Sequence, residues 1–108
     1  MADWTPVLAL DDLWDEDPVV VAVEGVDVMV VRSGDDVFAT ARACTHQGAP
    51  LDQGNLDLGG SLKTVTCPAH GSRFDLRTGR ILRPPAATPL AVYEARVEAG
   101  MVELRPPG

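Results

Sequence analysis

Two β-branched runs joined by a short turn are the feature that most limits how this chain can fold. Residues 19–23 (VVVAV) and 26–33 (VDVMVVRS) flank Glu24-Gly25, and another apolar run follows the turn at 33–35 (SGD). β-branched residues favour pleated sheet, and short glycine-containing turns join antiparallel strands. No apolar 3.6-residue period lasts three turns, and residues 9–17 (ALDDLWDED) can form at most one helical turn. The pattern predicts an all-β chain that begins as a meander.

The carboxyl-terminal region repeats the strand signal. Residues 90–106 (LAVYEARVEAGMVELRP) alternate apolar and polar side chains around Ala99-Gly100, which predicts a hairpin. Between the two strand regions, residues 42–86 are rich in Gly and Pro, so we interpret them as a loop-rich insertion on the β scaffold. A chain of 108 residues fits one domain. The sequence therefore predicts a single domain over 1–108.

Charge and hydropathy limit the partners and the compartment. A formal net charge of −7 argues against nucleic acid, because binding to phosphates requires clustered Lys and Arg side chains. It favours a partner with a basic face, and the alternative is that the acidity only keeps a small protein in solution. The longest apolar run, Val19–Val23, is too short to span a bilayer, and the start of the chain has an early Asp3 and no basic segment of a signal peptide. We therefore expect a cytoplasmic protein that binds neither nucleic acid nor membrane.

All the cysteines and histidines of the chain fall into two short motifs. Cys44 and His46 form C-x-H, and after 20 intervening residues Cys67 and His70 form C-x-x-H. In a reducing compartment such a set favours metal binding over a disulfide. Four Cys and His ligands suit tetrahedral zinc, although common zinc fingers pair cysteine with cysteine. One thiolate and one imidazole in each half instead suit two unlike iron positions bridged by sulfides.

Residues 44–75 (CTHQGAPLDQGNLDLGGSLKTVTCPAHGSRFD) resemble the cluster-binding segment of Rieske [2Fe-2S] proteins, and nearly the whole chain resembles small Rieske-type ferredoxins. The resemblance implies a Rieske-like antiparallel β-sandwich with a loop-rich cluster-binding subdomain at about 42–86. It also implies a [2Fe-2S] cluster with two different pairs of iron ligands. The inner iron is bound by Cys44 and Cys67, and the outer iron, near the surface, by His46 and His70.

Several other residues acquire expected roles from this resemblance. The spacing between the two motifs is slightly longer than usual, so residues 57–61 (DLGGS) are expected to form a hairpin tip. Gly48 and Gly71 let the backbone bend closely around the cluster. Pro84 and Pro85 resemble the proline-rich loop that covers the cluster in this family.

The family also relates a few side chains to the reduction potential. High-potential relatives carry a disulfide between the cluster loops and a Ser and a Tyr that donate to cluster sulfurs. The matching positions here are Ala49, Ala69, Ser72 and Phe74. Because only Ser72 retains its donor, we expect a potential in the low part of the Rieske range, about −150 to +300 mV.

The expected function is one-electron transfer rather than catalysis. A Rieske oxygenase needs a second, mononuclear iron held by two further histidines and a carboxylate, and both histidines of this chain are already used. The resemblance implies a monomeric ferredoxin component of an aromatic-ring dioxygenase system, with a flavin-dependent ferredoxin reductase and a terminal oxygenase as partners. The alternative is a small Rieske subunit of a larger redox enzyme, such as an assimilatory nitrite reductase.

Two further groups of side chains receive structural interpretations. The larger aromatic residues are predicted to anchor the core: Trp4, Trp14, Phe38 and Tyr93. A basic stretch in this acidic chain is predicted to pair with nearby acids such as Asp75, with a docking role as the alternative: Arg73, Arg77, Arg80 and Arg83.

Overall fold

Ten antiparallel strands form two sheets in the computed structural model, which describes residues 3–107. The six-stranded sheet has the order β1-β10-β9-β4-β3-β2 and the four-stranded sheet the order β5-β6-β7-β8. The strands are β1 Thr5–Ala9, β2 Val19–Val23, β3 Val26–Ser33, β4 Asp36–Ala41, β5 Asn55–Asp57, β6 Thr64–Thr66, β7 Arg73–Asp75, β8 Ile81–Arg83, β9 Val92–Glu98 and β10 Met101–Arg105. Two 3-10 helices cover Leu10–Asp12 and Leu51–Gln53. The predicted all-β class is confirmed.

Strand β3 holds the two halves of the molecule together because both of its faces are buried. Val28 and Val30 face a cluster of apolar side chains inside the six-stranded sheet, which curls until its edge strands β1 and β2 contact each other. Met29 and Val31 face the other way, into a second cluster that includes side chains of the four-stranded sheet. All four of these β3 side chains have no exposed surface. One apolar cluster therefore lies on each face of β3, the first inside the six-stranded sheet and the second between this sheet and the four-stranded sheet.

The meander and the final hairpin lie where the sequence predicted them, as β2-β3-β4 and β9-β10. The predicted insertion leaves the scaffold after β4 and returns at β9, and residues 58–63 form the expected tip between β5 and β6. Its four-stranded sheet was not predicted, since strands of three residues are too short to show an alternating pattern. Strand β1 was also missed: it contains Pro6, which an edge strand tolerates.

Two of the four predicted aromatic anchors lie in the core. Phe38 is buried, and Tyr93 packs against the cluster inside the six-stranded sheet. Trp4 is half-buried between two guanidinium groups, each 4.4 Å from its ring centroid. The prediction for Trp14 is wrong, because its neighbour Leu13 occupies the core position and leaves the indole 73% exposed. Within residues 3–107, no helix has the length and apolar surface needed to cross a membrane.

Arg42 joins the scaffold to the first loop of the insertion. Its backbone N–H donates to the carbonyl of Asp27 on β3 over 3.1 Å, and its Nε donates to Asp52 Oδ1 over 2.7 Å. Burial alone would raise the pKa of Asp52, but hydrogen bonds from Arg42 and Gln53 outweigh it and hold the pKa below its usual range. The ionised carboxylate therefore stabilises the folded loop.

Asp52→Asn should lower the free energy of unfolding at pH 7 by about 1–2 kcal/mol, because it weakens a charge-assisted hydrogen bond at a largely buried side chain. A lowered pKa in the folded state stabilises above the unfolded carboxyl value of about 3.9, and the effect is lost as pH falls through the lower folded-state pKa. The difference between the variant and wild type should shrink over that interval. Urea unfolding at a series of pH values measures it.

Asp36→Asn is the matched control. Asp36 Oδ2 lies 3.9 Å from Arg77 Nη2 and its side chain is 64% exposed, so this substitution should change stability by less than about 0.5 kcal/mol. Equal effects of the two substitutions at pH 7 would contradict the role given to Asp52.

Candidate metal centre

The first Cys/His motif lies in a loop closed by two backbone hydrogen bonds. Cys44 N–H donates to the carbonyl of Ala49 over 2.9 Å, and Gly48 N–H donates to the carbonyl of Cys44 over 2.8 Å. Gly48 has φ of 75°, in the left-handed region that glycine adopts without strain. The loop thus turns back on itself within six residues, with His46 in its middle.

The second motif lies in a loop with the same closure. Cys67 N–H donates to the carbonyl of Ser72 over 2.7 Å, and Gly71 N–H, at a φ of 80°, donates to the carbonyl of Cys67 over 3.2 Å. In both loops the cysteine bonds to the fifth residue after it and the fourth is glycine. Only the place of the histidine differs, since His70 is the third residue of its loop after the cysteine.

Both thiols point into the molecule. Cys44 and Cys67 are 3% and 4% exposed, and neither forms a disulfide. Burial raises the pKa of the Cys44 thiol, and its contact with the Cys67 thiol raises it further, whereas hydrogen bonds from the backbone N–H groups of His46 and Gln47 oppose the increase. These N–H groups would stabilise a thiolate bound to a metal.

Both imidazoles lie further out. His46 is half-buried and His70 is exposed, and their ring centroids are 5.1 Å apart with an angle of 84° between the planes. The four side chains thus form two pairs, a buried cysteine pair and a histidine pair nearer the surface. In the part of the chain that the structure describes, no group of three His, Cys, Asp or Glu side chains is arranged to hold one metal ion. Two pairs fit a binuclear centre better than tetrahedral zinc.

A third loop, residues 84–90, bonds to both Cys/His loops. The backbone N–H of Ala86 donates to Ser72 Oγ over 3.0 Å, and Thr45 Oγ1 donates to the carbonyl of Thr88 over 2.6 Å. These two hydrogen bonds therefore hold the proline-containing loop beside both Cys/His loops. The role expected of it, covering the cluster, requires such a position.

Gly54 is a residue of this region that the sequence analysis missed. It follows the 3-10 helix Leu51–Gln53, and a Cβ at this position would lie 2.1 Å from the carbonyl oxygen of Thr66, next to Cys67. The segment that follows the first Cys/His loop can therefore approach β6 only where a residue has no side chain. The only sequence signal was a glycine within the Gly- and Pro-rich segment 42–86, and this does not distinguish Gly54 from an ordinary turn glycine.

Comparison with known protein families identifies the family of the chain. Residues 3–94 match the model of the Rieske [2Fe-2S] domain. The chain belongs to the Rieske family. A Rieske protein binds a [2Fe-2S] cluster, so the zinc alternative is set aside.

Similar Rieske proteins include carriers from oxygenase systems. The chain is 33% identical over 104 residues to the anthranilate 1,2-dioxygenase ferredoxin subunit of Burkholderia cepacia, covering 96% of this chain and 93% of the relative. Its structure resembles the ferredoxin of carbazole 1,9a-dioxygenase from Nocardioides aromaticivorans IC177, with a TM-score of 0.88, 35% identity, and 96% and 98% of the two chains covered.

Two further similar structures come from multicomponent redox systems. One is a complex of reduced oxygenase and oxidised ferredoxin in carbazole 1,9a-dioxygenase, with a TM-score of 0.83, 34% identity, and 94% and 92% of the chains covered. The other, from Mycobacterium tuberculosis, is assigned as the small subunit of an NADH-dependent nitrite reductase, with a TM-score of 0.87, 27% identity, and 100% and 98% covered.

The positions expected to affect the Rieske potential are placed as follows. Ser72 and Phe74 have no exposed surface, Ala49 is half-buried and Ala69 is exposed. Ser72 Oγ accepts a hydrogen bond from Ala86 N–H, which leaves its own hydrogen available for another acceptor.

The basic stretch does not pair with Asp75. The carboxylate of Asp75 is buried and accepts from the backbone N–H of Arg77 over 2.8 Å. Among the four arginines of the stretch, and within residues 3–107, the ion pair of Arg77 with Asp36 at 3.9 Å stands alone. The predicted pairing is therefore wrong, because tertiary packing turns the nearest acid inward.

Gly54→Ala should lower the free energy of unfolding by about 1–3 kcal/mol or more, because the added Cβ would overlap a backbone oxygen that cannot move without shifting β6. Thermal unfolding monitored by circular dichroism measures this effect. Gly59→Ala is the control, since its Cβ would have its nearest neighbour at 4.0 Å. A Gly54→Ala protein as stable as the Gly59→Ala protein would refute the close approach.

Proposed function

We propose that this chain is a one-electron carrier whose [2Fe-2S] cluster is held by Cys44, Cys67, His46 and His70. The observation that carries the proposal is the pair of matching loops, with the cysteines buried together and the histidines adjacent near the surface. When bound, the cluster supplies a one-electron redox couple. The chain's residues hold it, direct backbone N–H groups to sulfur and keep the histidine edge accessible to a partner.

The partners proposed are a flavin-dependent ferredoxin reductase and a terminal oxygenase. Support comes from the relatives, which are ferredoxin components of dioxygenase systems, and from the ferredoxin that forms a complex with its oxygenase. The chain has no histidine beyond the four donors, so a mononuclear iron site with two further histidines has no ligands here. We propose a cytoplasmic monomer that binds neither nucleic acid nor membrane, with one domain over residues 1–108 and a cluster-binding subdomain at about 42–86.

A fixed small subunit of a larger redox enzyme is the second candidate function. It is favoured by the likeness to the nitrite reductase small subunit, which matches the full length of this chain. A free carrier should purify as a monomer in size-exclusion chromatography. A stable stoichiometric complex with a large catalytic subunit would instead support the second candidate.

The purified protein should contain two irons and two sulfides per chain and, once reduced, give the EPR signal of a [2Fe-2S] cluster, with an average g below the free-electron value. His46→Ala or His70→Ala should abolish this signal, because the chain has no spare histidine. Gln47→Ala, an exposed neighbour of His46, should leave it unchanged. One zinc per chain, or a normal signal in either histidine variant, would refute the proposed ligands.

Ser72→Ala should lower the midpoint potential by about 40 mV, since a donor to the cluster stabilises the reduced form and roughly 1 kcal/mol of differential hydrogen bonding corresponds to that shift for one electron. Phe74→Tyr, which adds a hydroxyl donor, should raise the potential by tens of millivolts, about as much. Potentiometric titration followed by EPR measures both.

Ser61→Ala, in the exposed hairpin tip, is the control and should leave the potential unchanged. Ser72→Ala also removes the partner of the Ala86 N–H, so its melting temperature should fall as well. A lower melting temperature with no change in potential would show that Ser72 only supports the loop.

A further inference from the structure

The charge of this acidic chain is distributed very unevenly. Residues 58–93 contain five of the nine Lys and Arg side chains and one of the sixteen carboxylates, which gives this stretch a formal charge of +4. The rest of the chain has four cations and fifteen carboxylates, a formal charge of −11. Residues 58–93 include the second Cys/His loop and the proline-containing loop. The net charge of −7 therefore does not describe the surface around the proposed histidine edge.

Two arginines of this stretch lie directly opposite each other on neighbouring strands. Arg73 on β7 pairs with Arg83 on β8, and the same row continues to Thr66 on β6 and Asn55 on β5. We call these four residues the arginine row. The next row along β5, β6 and β7 supplies side chains to the apolar cluster between the sheets, so Asn55, Thr66 and Arg73 project from the outer face. On β8 the pairing with β7 shifts register between Ile81 and Arg83, and Arg83 is exposed.

The two charges of the arginine row are not neutralised within the protein. Among residues 3–107, neither Arg73 nor Arg83 has a carboxylate within 4.0 Å. Like charges directly opposite each other on paired strands are destabilising. Arg73 Nε donates to Thr66 Oγ1 over 3.1 Å, which orients the guanidinium while its terminal nitrogens remain free to donate. Such orientation reduces the entropy lost when a partner binds.

The arginine row lies beside the loops that form the proposed histidine edge, where electrons would enter and leave the cluster. Thr66 immediately precedes the second Cys/His loop, Arg73 immediately follows it, and Arg83 immediately precedes the proline-containing loop. A groove of about 360 Å³ runs beside the row and is lined by residues that include Asn55, Thr66 and Cys67. A partner surface seated on the row would therefore lie next to both loops.

We propose that the arginine row is a docking surface for an acidic patch on a redox partner protein, which it orients towards the histidine edge. The inference rests on the proposed electron-carrier function and adds the charge of the partner's contact surface. Exposed charges act over about 8 Å at physiological ionic strength. The charged side chains beside the histidine edge therefore decide how a partner protein is oriented at close range. The formal charge of −11 on the rest of the chain would repel the remainder of an extended polyanion. This favours an acidic patch on a protein over nucleic acid as the partner.

The test measures electron exchange at gold electrodes coated with carboxylate-terminated or amine-terminated thiol monolayers, which stand in for an acidic and a basic partner surface. The wild-type holoprotein should exchange electrons faster at the carboxylate layer and slow down as salt is added. Arg73→Gln/Arg83→Gln should reduce that rate about tenfold, within the range in which charge steers association. Adsorption to the same layer, measured by surface plasmon resonance, should fall in parallel.

Arg77→Gln/Arg80→Gln is the matched control, because it removes the same charge from the same β-hairpin but near the turn away from the cluster loops. It should retain the wild-type rate within about twofold if position rather than total charge matters. Equal losses in both double variants, or faster wild-type exchange at the amine layer, would overturn the proposal.

Two further outcomes separate this proposal from its alternatives. Binding of a short duplex oligonucleotide that is lost only in Arg73→Gln/Arg83→Gln would assign the row to nucleic acid and overturn the protein-docking role. The EPR signal tests the electron-carrier function on its own. A normal signal together with an electron-exchange rate that Arg73→Gln/Arg83→Gln does not change refutes only the docking surface. A missing signal in the wild type refutes the carrier function itself.

Discussion

The candidate centre depends on one backbone constraint that occurs twice. In each Cys/His loop the cysteine N–H and carbonyl both bond within the loop, and a glycine with positive φ makes the closure possible. These closures turn Cys44 and Cys67 inward and leave His46 and His70 further out. Two copies of the same hydrogen-bond pattern thus give a pair of buried thiols and a pair of imidazoles nearer the surface, which are the two chemically different ends of the candidate centre.

The rest of the fold fixes the positions of these two loops relative to each other. Strand β3 connects the two apolar clusters. Arg42 bonds to β3 and to Asp52, which follows the first Cys/His loop, and Gly54 allows the same segment to approach β6. The proline-containing loop then bonds to each Cys/His loop through one hydrogen bond. The arrangement resists distortion because each loop is attached both to the scaffold and to a neighbouring loop, which is how a protein keeps metal ligands in place before the metal binds.

Local charge and net charge predict different partners for this protein. The net charge of −7 favours a basic partner surface, whereas the arginine row beside the second loop favours an acidic one. Screening decides between them at short range, since exposed charges further away than about 8 Å contribute little in physiological salt. Because the charge of this chain is unevenly distributed, its electric field does more than attract a partner protein. The field also turns the two proteins relative to each other before they touch.

The sequence by itself determined the β class, the meander, the final hairpin and the Cys/His set, because these depend on local propensity, turn residues and spacing. Only the tertiary structure decided that Leu13 rather than Trp14 enters the core, that Asp75 turns away from the arginines, and that Gly54 meets the backbone of β6. The four-stranded sheet, too, was found only in the tertiary structure. Its strands are three residues long, and the partners that stabilise each of them lie elsewhere in the chain, so no local pattern could identify them.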